Sequence, residues 1–465
     1  VIGLRLAEIV ATIGGRLVGG DPETVVDGPV QTDSRLAGPG SLFFALPGEA
    51  TDGHLFAGAA VEAGAALVVA ERELALPVPV IVVPDGVTAL ADLAREVVAR
   101  VRALGRLRMV AITGSNGKTT TKNLLAAVLE SRGATVSPEH SFNNHVGAPM
   151  TMLRVDERTE YLISEMGASH PGEIARLVGI ATPDIGVVLK VGLAHAGEFG
   201  GIDAVQHAKA EMVTDLPESA VALLNADDSR VAEMADWTLA RVVRFGLSTG
   251  VDVRAEDVDT TATGTTFTAV ADGERHPVSL RILGEHHVGN ALAALAAARE
   301  LGVPLADAIP AIERVPRAER WRMEVLHPGT GYTVINDAYN ASPDSTAAAL
   351  KTLAQIVAPG QRSVAVLGEM AELGEYAAEE HDRIGRLAVR LNIGRLVVVG
   401  ERARRIHAAA GLEGSWDGES VHVPDAEAAY DLLRGELRAG DVVLVKSSKS
   451  AGLRFLGDRL GGVSG

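Results

Sequence analysis

The segment MVAITGSNGKTTTK, residues 109–122, sets Gly114, Ser115, Asn116, Gly117, Lys118, Thr119 and Thr120 between an apolar run and a helix-forming run. Those types in that order suit a polyphosphate. Glycines let backbone N–H groups turn inward, and the following helix adds the partial positive charge of its N-terminus. Lys118 would reach the β- and γ-phosphates, and the Thr119 hydroxyl would serve Mg²⁺. The usual phosphate loop has a glycine five positions before the second one. That position is Ile112 here, and Gly114 carries the turn instead. The spacing predicts a variant nucleotide-triphosphate loop with its helix starting near Thr120. It leaves the reaction open.

Other residues could do chemistry from strand ends. Glu165 stands near the end of the run YLISEM, two before Gly167, and His195 sits in a Gly-rich segment after IGVVLK. Strand ends beside a phosphate loop are where α/β sheets place ligands. A carboxylate and a neutral imidazole suit Mg²⁺ or Mn²⁺. Taken alone, such a Glu reads as solvated, such a His as structural, and Lys209 in AKAE as a helix-surface cation beside Glu211. Ser342 before Pro343 reads as a helix N-cap. Asn143 with Asn144, and Ser34 with Arg35, read as turn chemistry.

These residues need strands and helices to hold them. LFFAL (42–46), ALVVA (66–70) and VIVV (80–83) read as buried strands, and Asp85 to Arg102 as a helix. After Gly105 a second unit begins, with strands at 109–113, 161–166, 185–190 and 221–225 alternating with helical stretches. That alternation predicts an α/β layer structure on a largely parallel sheet. Thr-rich 251–282 reads as a small β appendage, and Asn290 to Ala298 as a helix. VPRAER (315–320) reads as a linker. Beyond it TVIND, SVAVLG, LVVVG and VVLVK alternate with Ala-rich helices, a doubly wound pattern. The expectation is a three-domain α/β chain: 1–105, 106–315 and 316–465.

Composition narrows the function. The 465 residues carry a net charge of −17, against non-specific nucleic-acid binding. Cys is 0, which excludes disulfides, thiolate metal sites and a cysteine nucleophile. No apolar run reaches the roughly 18–20 residues of a membrane span, and the first residues show no signal-peptide pattern. The expectation is a cytoplasmic monomer without membrane insertion.

TGSNGKTTT resembles the Mur ligase family, the ATP-dependent amino-acid and peptide ligases of peptidoglycan precursor synthesis. The resemblance extends through TDSRLAGPGSLFFALPGEATDGHLFAGAAVEAGA (32–65), FNNHVGAP (142–149), EMGASHPGEI (165–174), VGLAHAGEFG (191–200), AKAE (208–211), NDAYNASPDS (336–345) and VLGEMAELG (366–374). It implies a UDP-sugar-binding first domain, a central ATP-binding domain and a Rossmann-like third domain for nucleotide and incoming dipeptide. It implies that Thr119, Glu165 and His195 serve the metal, and that Lys209 carries a CO₂-derived carbamate bearing on it. Lys118, His195 and Lys209 become the catalytic set. Asn290 matches an adenine contact, Arg322 a phosphate-facing arginine and Asp337 a ribose contact. The family pattern G-x-H-N-x-x-N has Asn where this chain has His287, so that role is not transferred. Ser34 and Arg35 match positions near the uridine diphosphate, and Asn143 and Asn144 a loop against the nucleotide sugar. Asn340, Ser342 and Asp344 fall in the acceptor region.

YNASPDS with GEMAELG is most similar to the branch that adds D-Ala-D-Ala to UDP-MurNAc-tripeptide. The branch adding the third peptide residue carries H-T-P-D and D-N-P-R motifs; no DNPR occurs here. That branch is the first rival. A folate-type polyglutamate ligase would have no reason for the DSR…DGH region. A P-loop ATPase regulator would need no acyl-phosphate site.

Overall fold

The computed structural model describes residues 2–48, 51–139, 141–194, 196–316, 319–414 and 416–463. His195, Arg317 and Ala318 therefore lie outside the described residues. Three larger sheets organise the chain: five strands, nine strands and six strands, in that order along the sequence. This is the three-unit α/β architecture.

The five-stranded sheet holds Leu42–Ala45, Leu67–Ala70 and Val80–Val82 side by side in parallel. Every residue of the first two is buried, which is why each reads as an unbroken apolar run. Helix Gly86–Ala103 follows, capped by the Asp85 side chain on the Thr88 N–H. One continuous apolar core joins Leu42, Leu90, Val97 and Val101 to Met109, Met152, Leu177 and Val213. The first unit is thus welded to the second through this helix.

The nine-stranded sheet has Arg108–Thr113 between Tyr161–Glu165 and Ile185–Val188, all parallel. The segment expected to form a small β appendage does so as three strands that extend this sheet. Val253–Thr261 pairs in parallel with Arg241–Gly246, then antiparallel with Gly264–Ala271, which pairs with Glu274–Leu280. Val253, Ala255, Phe267, Ala269 and Leu280 share one core with helix His286–Glu300, and that common burial explains the continuation. The last of these strands is an edge and contains Pro277; the opposite edge, Thr135–Val136, is two residues long.

The six-stranded sheet is parallel except for its edge strand Glu324–Leu326, which pairs antiparallel with Thr333–Asn336. Glu324–Leu326 and the other edge, Glu419–Val423, escaped the sequence reading because they are short and only partly apolar. The third unit has its own cores, reached from the second by a few side chains such as Leu193 and Leu283. Between the second and third units lies a polar cavity.

Candidate active site

The phosphate loop leaves the buried strand Arg108–Thr113 and enters helix Lys118–Glu130. The helix begins at Lys118, two residues earlier than expected. Gly117 ends the turn at φ 88°, a left-handed conformation that frees the next residue to be helical. A Cβ on Gly117 would sit 2.2 Å from Asn290 Oδ1, so helix His286–Glu300 packs directly on the loop. Ser115 is tied across the sheet: its N–H donates to the Lys190 carbonyl at 2.8 Å, and its Oγ to the Gly192 carbonyl at 3.1 Å. Ser342 Oγ donates to Asn116 Oδ1 at 3.2 Å, while Asn116 Nδ2 is buried without a partner.

A cavity of about 280 Å³ opens on this loop. The central unit lines it with residues 115–120, Asn143, Glu165, His287 and Asn290; the third unit adds Arg322, Asp337, Tyr339, Asn340, Ser342 and Lys446. Lys118 folds back to donate to the Gly114 carbonyl at 2.6 Å. Burial pushes its ammonium below the ordinary lysine range, and the Glu165 carboxylate opposes that shift. Thr119 Oγ1 lies 3.2 Å from Ser141 Oγ, which also accepts from Arg322 Nη2 at 3.1 Å. Arg322 lies 4.2 Å from the centroid of the Tyr339 ring. Its Nε is buried and makes no hydrogen bond among the described residues.

Glu165 is buried at the strand end; Oε1 accepts from Asn143 Nδ2 at 2.8 Å, and Oε2 has no hydrogen-bond partner among the described residues. Asn144 is a structural neighbour: its Oδ1 accepts the N–H of Gly147 at 2.9 Å at the start of helix Gly147–Met152. Lys209, on helix Ile202–Ala210, is buried to 3% exposure and lies 5.4 Å from the Phe199 ring centroid. It is no surface lysine. Burial first, then the positive charge of Lys118, brings its pKa down to about 7. Among the described residues no three His, Asp or Glu side chains converge as a metal cluster. The implied ligand set draws on His195, outside the described residues, and on a modified Lys209.

In the third unit, Asp337 Oδ1 accepts from the Met323 N–H at 3.0 Å and Oδ2 from Lys446 Nζ at 2.6 Å. Lys446 is a cavity residue that the sequence reading passed over, because it reads as the last position of a buried strand. Asn340 Oδ1 accepts the Ala341 N–H, and Asp344 lies 3.3 Å from Lys190 Nζ. Ser342 is the N-cap of helix Pro343–Ile356, accepting from the Ser345 N–H, and it touches the phosphate loop as well. Asn290 Nδ2 lies 3.2 Å from His287 Nδ1, and burial holds the His287 imidazole well below its ordinary pKa.

Ser34 and Arg35 stand apart, on the short turn Ser34–Leu36 of the first unit, with Arg35 paired to Asp33. A second cleft of about 600 Å³ opens beside that turn, between Asp27, Gln31 and Leu36 of the first unit and Phe142, Met150 and Arg154 of the second.

Family models cover the three units in turn: "Mur ligase family, catalytic domain" at 29–104, "Mur ligase middle domain" at 112–298, and "Mur ligase, glutamate ligase domain" at 321–449. The chain is 47% identical to UDP-N-acetylmuramoyl-tripeptide–D-alanyl-D-alanine ligase of Mycobacterium bovis, over 99% of this chain and 98% of that protein. It superposes on MurF from Acinetobacter baumannii with a TM-score of 0.89 at 29% identity, covering 99% of each chain. It superposes on the MurF ligase from Thermotoga maritima in complex with ADP with a TM-score of 0.81 at 28% identity, covering 94% of this chain and 97% of that one. With its three units matched in order and its whole length aligned, the chain belongs to the Mur ligase family.

Proposed function

We propose that the chain is an ATP-dependent ligase joining D-alanyl-D-alanine to UDP-N-acetylmuramoyl-tripeptide in peptidoglycan precursor synthesis, with release of ADP and phosphate. One observation carries the reading: a phosphate loop and an arginine from the third unit face each other across one polar cavity. The full-length likeness to a ligase of that name supports the choice of substrates.

The chemistry follows from the charge in that cavity. The tripeptide's terminal carboxylate attacks the γ-phosphorus of ATP, ADP leaves, and an acyl phosphate forms. The amine of the dipeptide then attacks the acyl carbon and phosphate departs, leaving a peptide bond. Negative charge on the transferring phosphoryl needs fixed cations. Lys118 supplies one within the loop and Arg322 a second from across the cavity. Asn290, beside Gly117, fits the adenine end, and Asp337 the ribose. Residues 115–117, 119 and 120 offer the remaining phosphate contacts. His286 and His287 are held neutral by burial, so they add no charge.

The residues present fit a divalent cation: Glu165 Oε2 is a buried oxygen without a hydrogen-bond partner among the described residues, and Thr119 Oγ1 lies on the same cavity. Thr119, Glu165, His195 and Lys209 as carbamate would hold Mg²⁺ or Mn²⁺, which would neutralise phosphate charge. Lys209 suits carbamylation because CO₂ adds to a neutral amine, and its pKa of about 7 leaves much of it neutral at pH 7.

The cleft beside Ser34 and Arg35 is assigned to the nucleotide sugar, with Asn143 and Asn144 in the loop between the two cavities. Asn340, Ser342 and Asp344 are assigned to the acceptor side. The units are assigned as 1–105, 106–315 and 316–465, and the enzyme as a cytoplasmic monomer, where ATP is at hand. Mass spectrometry after incubation with ATP, UDP-muramoyl tripeptide and D-Ala-D-Ala tests the reaction. The expected product is the tripeptide extended by the dipeptide, with ADP. Failure to extend the tripeptide, with addition of a free diamino acid to UDP-muramoyl dipeptide in a parallel incubation, overturns the assignment, as does ATP consumption indifferent to tripeptide.

A further inference from the structure

Lys122 lies one helical turn beyond Lys118, so the two ammonium groups share a face of helix Lys118–Glu130. Lys118 takes the phosphate loop. Lys122 is among the most completely buried large side chains of the molecule, at 2% exposure, and the reaction as described makes no use of it. A buried ammonium is costly unless it is paired and hydrogen-bonded. Its Nζ donates to the Pro138 carbonyl at 2.9 Å and stands 3.6 Å from Glu319 Oε1. Glu319 belongs to the connection between the second and third units. Its other oxygen, Oε2, lies 3.9 Å from Arg322 Nε, and its carbonyl accepts the Arg322 N–H at 3.0 Å.

The turn that presents Arg322 is strained on both sides. Trp321 has φ 64° and Met323 φ 50°, left-handed conformations that are uncommon for side chains of this size. Within the third unit, Asp458 accepts from Trp321 Nε1 at 2.9 Å and Asp337 from the Met323 N–H at 3.0 Å. Those bonds hold the turn to its own unit. They do not set its position against the phosphate loop. The Lys122–Glu319 pair does, together with the Arg322–Ser141 bond, because one partner rides on the loop's own helix.

We propose that Lys122 and Glu319 form a positioning pair that places the Arg322 guanidinium over the phosphate loop. The inference rests on the reading of Arg322 as a phosphate contact. One partner rides on the phosphate-loop helix and the other on the connection that leads to Arg322, so the pair ties the position of the arginine to that of the loop.

Glu319→Gln, Lys122→Met, Arg322→Ala and the double variant Glu319→Gln/Arg322→Ala test this, with kcat/KM for ATP, kcat and melting temperature measured for each. Misplacing a charged contact by about 1 Å can cost roughly 10²-fold. Glu319→Gln is expected to lower kcat/KM for ATP about 10- to 100-fold and to lower the melting temperature as well, because the buried Lys122 ammonium loses its charge partner. In the Arg322→Ala background the same substitution is expected to add less than about threefold, because its effect is already lost. Multiplicative effects in the double variant overturn the positioning role, as does a Glu319→Gln enzyme with parental kinetics. An unimpaired Arg322→Ala enzyme instead removes the phosphate role of Arg322 itself. Should Lys122→Met fail to fold, Glu319→Gln and its double variant decide alone.

Discussion

Lys118 has no rival for its charge within the loop, so Lys118→Ala is expected to lower kcat by about 10²–10³-fold or more. Its removal leaves the apolar cores untouched, and the circular dichroism and melting profile should stay near those of the parent. Near-normal turnover would contradict the phosphate-loop assignment. Lys209 makes a different demand. Its pKa is lowered to about 7, against 10.5 for a free lysine, so the unfolded chain binds the extra proton between those values. Stability from this group therefore rises with pH across that interval, and the penalty for burying the ammonium is full below about pH 7. Carbamate formation follows the same direction, since it needs the neutral amine. A carbamate signal in ¹³C NMR with labelled bicarbonate should weaken as pH falls through 7 and vanish in Lys209→Ala. That variant should be nearly inactive and partly recovered by acetate, which can restore a carboxylate to the vacated space. Full activity without additive would remove Lys209 from the mechanism.

Elements show how much could be read in advance. Buried parallel strands announce themselves as apolar runs, which is why Leu42–Ala45, Tyr161–Glu165 and Asp441–Lys446 coincide with the expected strands. The phosphate loop was legible because glycine, lysine and threonine must stand at fixed spacing to do that work. Glu319, Lys446, Ser141 and Lys122 gave no comparable signal. Their partners are remote in sequence, and only the packing of the units brings them together. The extension of the central sheet was hidden for a related reason: its strands alternate, and their inner faces make sense only under helix His286–Glu300. Glycine at 117 marks a close contact of this kind, between the loop and helix His286–Glu300. Gly117→Ala is expected to be strained by φ 88° and to collide with Asn290, so ATP affinity should drop at least about tenfold, measured by calorimetry. Ser342→Ala should remove a helix cap worth about 1 kcal/mol. A fall in melting temperature with unchanged ATP affinity would limit Ser342 to that cap.

The molecule as a whole divides unequally. A shared apolar core fastens the first unit to the second, whereas the third meets the second mainly across a polar cavity and a few side chains. Motion should therefore be confined to the third unit, with ATP and tripeptide favouring the closed form. Small-angle scattering should show a smaller radius of gyration with a non-hydrolysable ATP analogue plus tripeptide, and a nearly constant distance between labels on the first and second units. Absence of compaction would count against closure.

The nine-stranded sheet ends on one side in a strand carrying Pro277 and on the other in a strand of two residues. Proline cannot donate to a neighbouring ladder, and a two-residue strand offers almost no template, so neither border invites another chain to add on. The practical consequence is colloidal. A large, strongly apolar sheet protected in this way is expected to resist seeding fibrils or amorphous precipitate at high concentration. Restoring the missing N–H with Pro277→Thr should leave catalysis intact while shortening the lag before turbidity on mild heating; an unchanged lag would show that other features guard this border.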